Sequence, residues 1–351
     1  MIPGELGAIP KADMHVHLEA CARPPLARKM AAKYGESIDD IIAPGGETYV
    51  WDGFTGFLGA YSRVANLFRT VEDYAELTRT YCAELGAAGA IHAEIIIWPD
   101  HPERLGLSAE DYLDGIHAGI AMHGEPEVLP RLLVTGVRHE GPEAVERAAR
   151  WAAEHKSHLV AGFGLAGDER IGHPRDFARA FDIAREAGLH LACHAGELSG
   201  PDSVRAALDH LKPDRIDHGV RAIEDPNLVG RLADEETLLT VCTGSNLALS
   251  VFPSLQAHPL RSLMEAGCRI ALGSDDPPHF GTSIGHEYAL AHHMGLDRDA
   301  LEGLTRTAID HSIAEDWLKD RLRKRLDAWT APMETATAPM ETGDDGDGAV
   351  A

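Results

Sequence analysis

Two histidines one residue apart, His15 and His17 in the run Met14 to Leu18 (MHVHL), are the first residues along the chain whose types and spacing could do chemistry. Side chains alternate along a strand, so both imidazoles share one face while Met14, Val16 and Leu18 turn to the other. Imidazoles presented together are nitrogen ligands of the kind Zn²⁺ takes. The competing account of the pair is two barrel-lining histidines with ordinary structural hydrogen bonds. Three later segments carry related chemistry. His194-Ala195-Gly196-Glu197 offers a third imidazole and then a carboxylate, Asp217-His218-Gly219 another histidine, and Ser274-Asp275-Asp276-Pro277-Pro278 two adjacent acids. Adjacent carboxylates repel unless a cation or a hydrogen-bond donor relieves them. Taken singly, each acid could equally be a helix cap or a solvated loop residue.

Brought together, His15, His17, His194 and Asp275 would form a ligand set with one position left for water, whose pKa zinc lowers to about 7. A hydrolase then needs a group for the water proton and an acid for the substrate; His218 and Glu197 remain for those two roles. The segment Gly162 to Gly167 (GFGLAG) holds no lysine that could be carbamylated to bridge two metals, so one zinc per subunit is expected.

Only an architecture that gathers strand ends can unite residues so far apart in sequence. Eight β-rich runs alternate with helix-patterned segments: Met14 to Leu18, Ile91 to Trp98, Leu129 to Val137, Leu159 to Gly164, Leu189 to His194, Arg215 to His218, Leu238 to Cys242 and Arg269 to Gly273. That alternation is expected of a parallel sheet, and eight βα units in about 330 residues is the size of one (β/α)8 barrel. The segment Pro174 to Gly188 carries Pro at its front and Gly at its back, the order of helix start and stop signals. The stretch between the first two runs is long enough for extra helices, and in it Phe54, Phe57, Leu58, Tyr61 and Phe68 recur near helical spacing. Active sites of such barrels lie at the C-terminal ends of the strands, which is where the four polar segments fall. Asp275 shares strand parity with Ala271 and Gly273, so interior room for a ligand is expected beside it. GFGLAG also matches GxGxxG, but no acid ends the next strand and no helix follows at once, so a dinucleotide fingerprint is disfavoured. Its glycines are expected to let backbone approach a ligand.

The chain has 351 residues, 44% apolar and 25% charged, and a net charge of −24. That field repels phosphate-rich partners, so nucleic acid and anionic membranes are not expected as partners. No run approaches the roughly 20 apolar residues of a membrane span, and no leader pattern opens the chain, so a cytoplasmic protein is expected. The five cysteines are widely separated and odd in number, which suits neither a zinc ribbon nor a disulfide framework. Residues 1–329 are expected to form the barrel. From 330 the sequence (TAPMETATAPMETGDDGDGAVA) is acidic, repetitive and poor in apolar residues, and is expected to be a disordered tail.

The stretches PKADMHVHLEA, GFLGAY, GLAGDE, HAGE, RIDHGV, CTGSN and SDDPPHFGTS occur in the order found in the adenosine/adenine deaminase family of the amidohydrolase superfamily, which the chain resembles up to about residue 325. The resemblance implies that His15, His17, His194 and Asp275 bind zinc, that Glu197 protonates purine N1, and that His218 orients or deprotonates the attacking water. It further implies that Asp276 meets N7, that the Gly167 amide faces N3, and that Phe54, Phe57, Leu58 and Tyr61 belong to a lid over a small-molecule purine nucleoside or base. Three departures bear on the substrate. Glu19 stands where adenosine deaminases commonly carry the aspartate that meets the ribose 5′-hydroxyl, no arginine follows the second run, and Thr243-Gly244 replaces a proline-containing start. LAGDE, in contrast, is typical of the adenosine enzymes. Adenosine is the expected substrate, with adenine or another 6-aminopurine as the alternative; a barrel that binds metal or ligand without turnover is more distant, since Glu197 and His218 would then be idle.

Overall fold

The computed structural model describes residues 7–122 and 128–330. Eight strands, β1 (Lys11–His17), β2 (Ala90–Ile97), β3 (Leu129–Val137), β4 (Val160–Ala166), β5 (His190–Ala195), β6 (Arg215–His218), β7 (Leu238–Val241) and β8 (Arg269–Leu272), follow one another in a single parallel sheet. Helices cover the outside, so a strand such as β2 is buried at every position, as a sheet covered on both faces requires. The architecture is the expected (β/α)8 barrel. Most strand limits differ from the sequence reading by one to three residues; β1 starts at Lys11 rather than Met14, because Ala12 and Met14 pack with Leu238, Ala271 and Ala308.

Closure between β8 and β1 happens at the mouth. The Asp275 amide donates to the His15 carbonyl at 2.8 Å and the His17 amide to the Asp275 carbonyl at 3.0 Å, so the link that shuts the barrel also brings Asp275 beside both histidines. Gly273 permits this approach, since a Cβ there would lie 2.4 Å from the His15 Cβ. The interior room expected from Ala271 and Gly273 is therefore filled by β1. Strand parity does not reach Asp275 either, which lies beyond the end of β8 with φ +61°.

Three helices, Pro24–Tyr34, Gly53–Ala65 and Val71–Ala87, occupy the stretch between β1 and β2. The last starts with a capping box between Thr70 and Asp73, each side chain satisfying the other's free amide. It lies against Ala109–Ala121, where Gly115 and Gly119 leave no room for a Cβ: one would come within 2.7 Å of the Val71 carbonyl, the other within 2.6 Å of that of Ala75. The segment expected as one helix from Pro174 opens as a tight turn, Pro174–Phe177, before the helix Ala178–Glu186. Among the described residues no helix is long and apolar enough to cross a membrane, and all five cysteines are buried and unpaired. The helix Asp316–Thr330 includes the first residue of the expected tail; the rest of that tail lies outside the described residues.

Candidate active site

The four polar segments meet at one end of the barrel. His15 and His17, both on β1, place their Nε2 atoms 3.3 Å apart, and His194 Nε2, from β5, lies 3.3 Å from that of His17. Asp275 Oδ1 stands 3.6 Å from His15 Nε2 and 3.5 Å from His17 Nε2. Nitrogen ligands about 2.0–2.1 Å from a tetrahedral zinc are about 3.3–3.4 Å apart, so the spacing fits the edges of a zinc tetrahedron. Burial, reinforced by the neighbouring histidines, holds the His15 imidazole well below its ordinary pKa and brings His17 down to about 4. Both stay neutral at pH 7, the form that binds metal. His218 joins the cluster, its ring centre 4.8 Å from that of His15 and 5.1 Å from that of His194. Cys242 also comes within 4.8 Å of donor atoms of His218 and Asp275.

Glu197 follows two residues after the end of β5. One of its oxygens lies 3.7 Å from His218 Nδ1 and accepts from the Ser245 hydroxyl at 3.3 Å. Burial, with the Asp275 charge second, pushes its carboxyl up to about 8, and the same two causes hold Asp276 well above the ordinary carboxylate range. Glu197 is therefore largely protonated at neutral pH and can donate, whereas an ionised carboxylate could only accept, and the upward shift moves Asp276 toward the same acid form. Two residues of the site, His218 at φ +65° and Asp275 at φ +61°, have left-handed backbone. His and Asp are among the side chains that tolerate this region best, and such conformations cluster at functional sites.

One carboxylate shapes the turn that carries Glu197. Glu169, just after β4, accepts from the amides of Gly196, Glu197, Leu198 and Ser199 at 2.5–3.0 Å and from the Ser203 hydroxyl at 2.5 Å. Arg138 ties the same region together from beneath, donating to the carbonyls of His194 at 2.8 Å and Glu169 at 3.3 Å. On the opposite side, Glu287 accepts from the Thr243 and Gly244 amides and the Thr282 hydroxyl at 2.6–3.0 Å, which fixes the segment bearing Ser245. The Thr243-Gly244 departure noted in the sequence thus sits in the support of the site, where a Cβ on Gly244 would lie 2.6 Å from Glu287.

A pocket opens above these groups. His17, Phe54, Phe57, Leu58, Tyr61, Gly167, His194, Glu197, His218, Asp275 and Asp276 all line it. Phe54, Phe57, Leu58 and Tyr61 lie at i, i+3, i+4 and i+7 on the helix Gly53–Ala65, so one helical face roofs the pocket. Phe57 packs on Phe280 with ring centres 4.8 Å apart. Gly167, at φ +94°, is the one glycine of GFGLAG on the pocket wall; Gly162 and Gly164 instead make room for Leu133, within 3.0 Å of their missing Cβ positions. Glu19 is placed differently. It is buried off the pocket lining, where one of its oxygens accepts from the Tyr112 hydroxyl and from the Trp98 amide at 3.3 Å, and burial raises its pKa. Ser62, Trp98, Thr135, Val137, His139, Ala166, Leu249 and Phe280 complete the wall. None of these, nor Glu169, Ser245, Asp217 or Thr240 below the histidines, was assigned a role from the sequence, although Glu169, Ser245 and Phe280 lie in the motifs GLAGDE, CTGSN and SDDPPHFGTS and Asp217 is the neighbour of His218 in RIDH.

The sequence profile of the adenosine deaminase family matches residues 10–329. An adenine deaminase of Chelativorans sp. (strain BNC1) is 53% identical over 318 residues, covering 90% of this chain and 97% of the relative. Among solved structures, the adenine deaminase from Arthrobacter aurescens superimposes with a TM-score of 0.85 at 29% identity, over 92% of this chain and 99% of that one. An amidohydrolase from Burkholderia ambifaria with bound Zn gives a TM-score of 0.82 at 25% identity, over 93% of each chain. With eight parallel strands, a cluster of histidine and carboxylate donors at their C-terminal ends and a profile match over nearly its whole length, the chain belongs to the adenosine deaminase family, hydrolytic deaminases that act on the C–N bond of a cyclic amidine.

Proposed function

We propose that this protein hydrolyses adenine to hypoxanthine and ammonia, with one zinc ion held by His15, His17, His194 and Asp275. The observation that carries the choice of the free base is the engagement of Glu19: one of its oxygens is held by the Tyr112 hydroxyl and the Trp98 amide, the Tyr61 hydroxyl of the roofing helix is a further hydrogen-bond partner, and the residue is not among those lining the pocket, where it could meet a ribose hydroxyl. Adenine is also the substrate in the name of the 53% identical relative. Adenosine, expected from LAGDE, gives way on both grounds.

Bound zinc would supply a water of lowered pKa beside the substrate. The remaining work belongs to the side chains. His218 takes a proton from the water as it adds to C6 of the purine. Addition drives an electron pair onto N1, where Glu197, protonated at neutral pH, delivers its proton. Asp276, which burial shifts toward its acid form, donates to N7 in that form, and the Gly167 amide donates to N3. In the 9H tautomer of adenine N1, N3 and N7 are all acceptors, so each donor meets one. His218 then passes its proton to the amino group, the C6 hydroxyl gives its proton to the Glu197 carboxylate, and departure of ammonia breaks the C6–N bond, leaving the lactam of hypoxanthine and both side chains as they began. The aromatic face of the helix Gly53–Ala65 covers the ring and excludes bulk water, which strengthens these contacts.

Initial rates on adenine, adenosine, deoxyadenosine and N6-methyladenine, followed by ammonia release and by the ultraviolet change on loss of the amine, test this. The expected result is a kcat/KM for adenine well above that for either nucleoside; a preference for adenosine overturns the choice of base.

A further inference from the structure

Below the histidines the barrel interior is polar, and protons there can be counted. Register explains why: His194 on β5 is paired with Asp217 on β6, and Asp217 with Thr240 on β7, so three neighbouring strands aim these side chains inward at one level. Arg215 Nε donates to Asp217 Oδ1 at 3.0 Å, and the same guanidinium is paired with Glu94, which also accepts from the Ile313 amide at 2.7 Å. All five side chains are buried. An arginine is always protonated, so the carboxylate it holds is ionised and can only accept.

Thr240 Oγ1 lies 2.8 Å from Asp217 Oδ1 and 3.2 Å from His15 Nδ1. A hydroxyl has one proton, and Asp217 requires it. Thr240 is then an acceptor toward His15, whose Nδ1 must carry the hydrogen. His194 Nδ1 lies 3.3 Å from Asp217 Oδ2, and among the described residues neither of these two buried atoms has another partner. Facing an acceptor, His194 Nδ1 must carry its hydrogen too. A neutral imidazole protonated at Nδ1 has its lone pair on Nε2, and the Nε2 atoms of His15 and His194 are the ones that converge on His17.

We infer that Asp217 and Thr240 are positioning residues which hold His15 and His194, across two different strands, in the Nδ1–H tautomer and so direct both Nε2 lone pairs at the metal. The inference rests on the reading of these histidines as zinc ligands. Outer partners of this kind typically govern metal affinity by 10–100-fold.

The test compares wild type with Thr240→Val, Thr240→Ser and Asp217→Asn. Zinc affinity is read by competition with a chromophoric chelator, and imidazole tautomers by ¹⁵N NMR on metal-free, ¹⁵N-histidine-labelled protein. Expected are Nδ1–H signatures for His15 and His194 in wild type, a dissociation constant raised about 10–100-fold in D217N and about tenfold in T240V, and recovery in T240S. T240V, close to threonine in shape, keeps the test decisive if D217N fails to fold once Arg215 has lost one of its two carboxylate partners. An Nε2–H tautomer in wild type, or folded T240V with unchanged zinc affinity, overturns the inference. Wild type that binds no zinc would instead overturn the metal-ligand reading, while the metal-free spectra still decide the tautomers.

Discussion

At the residue scale, the proposed chemistry turns on an acid kept protonated where water alone would ionise it. Burial first, and the Asp275 charge second, raise Glu197 to about 8. The acid form is the one that can protonate N1, and it prevails below that pH; above it the carboxylate forms and the proton donor is lost. The kcat/KM profile should therefore fall on its alkaline side as pH rises through about 8, and a profile flat to pH 10 would count against Glu197 as the donor. Glu197→Gln keeps the shape and removes the transferable proton. Zinc content by atomic emission should stay at wild-type level while kcat drops about 10²- to 10⁴-fold.

At the element scale, the turn after β5 has no regular structure of its own and is held by a side chain from the neighbouring strand end. Four backbone amides and one hydroxyl converge on Glu169, so the position of Glu197 is set by a residue outside the pocket lining. Replacing Glu169 with Gln turns one of the two acceptor oxygens into a donor that faces amides. Leaving buried donors unpaired costs about 1–3 kcal/mol, and a displacement of about 1 Å at a reacting group can cost about 10²-fold in rate. Glu169→Gln should accordingly lower both the melting temperature and kcat, with the zinc ratio unchanged. Normal kcat in that variant would show that the turn is held by other means. The roofing helix follows a simpler rule, since the spacing of its aromatic residues alone builds one apolar face.

At the scale of the whole molecule, closure of the barrel and assembly of the site are one event, because the backbone of Asp275 pairs with that of His15 and His17. Neutral imidazoles whose lone pairs face one another are unfavourable without a cation between them, so the metal-bound fold should be the more stable. A ligand at 100 times its dissociation constant stabilises a protein by about 2.7 kcal/mol. Stripping zinc with a chelator should abolish turnover and lower the melting temperature by several degrees, and adding zinc back should restore both. Equal melting curves and equal activity with and without metal would refute a zinc site at the strand ends.

The barrel and the residues gathered at its mouth were legible in the sequence, because alternating strand and helix patterns imply a parallel sheet and such a sheet collects its strand ends. The motifs around His15, His17, His194, Glu197, His218 and Asp275 had only to lie at those ends. Tertiary structure alone decided what depends on contacts between distant segments. Glu19 reads as a pocket residue until Tyr112 and Trp98 are seen to occupy its carboxylate; Gly273 reads as interior space until β1 is seen to fill it; Thr240 and Asp217 have no meaning in sequence until strand register sets them under the histidines. Periodicity and spacing act along the chain, but hydrogen-bond direction and burial are properties of neighbours in space, and these determine which proton sits on which atom.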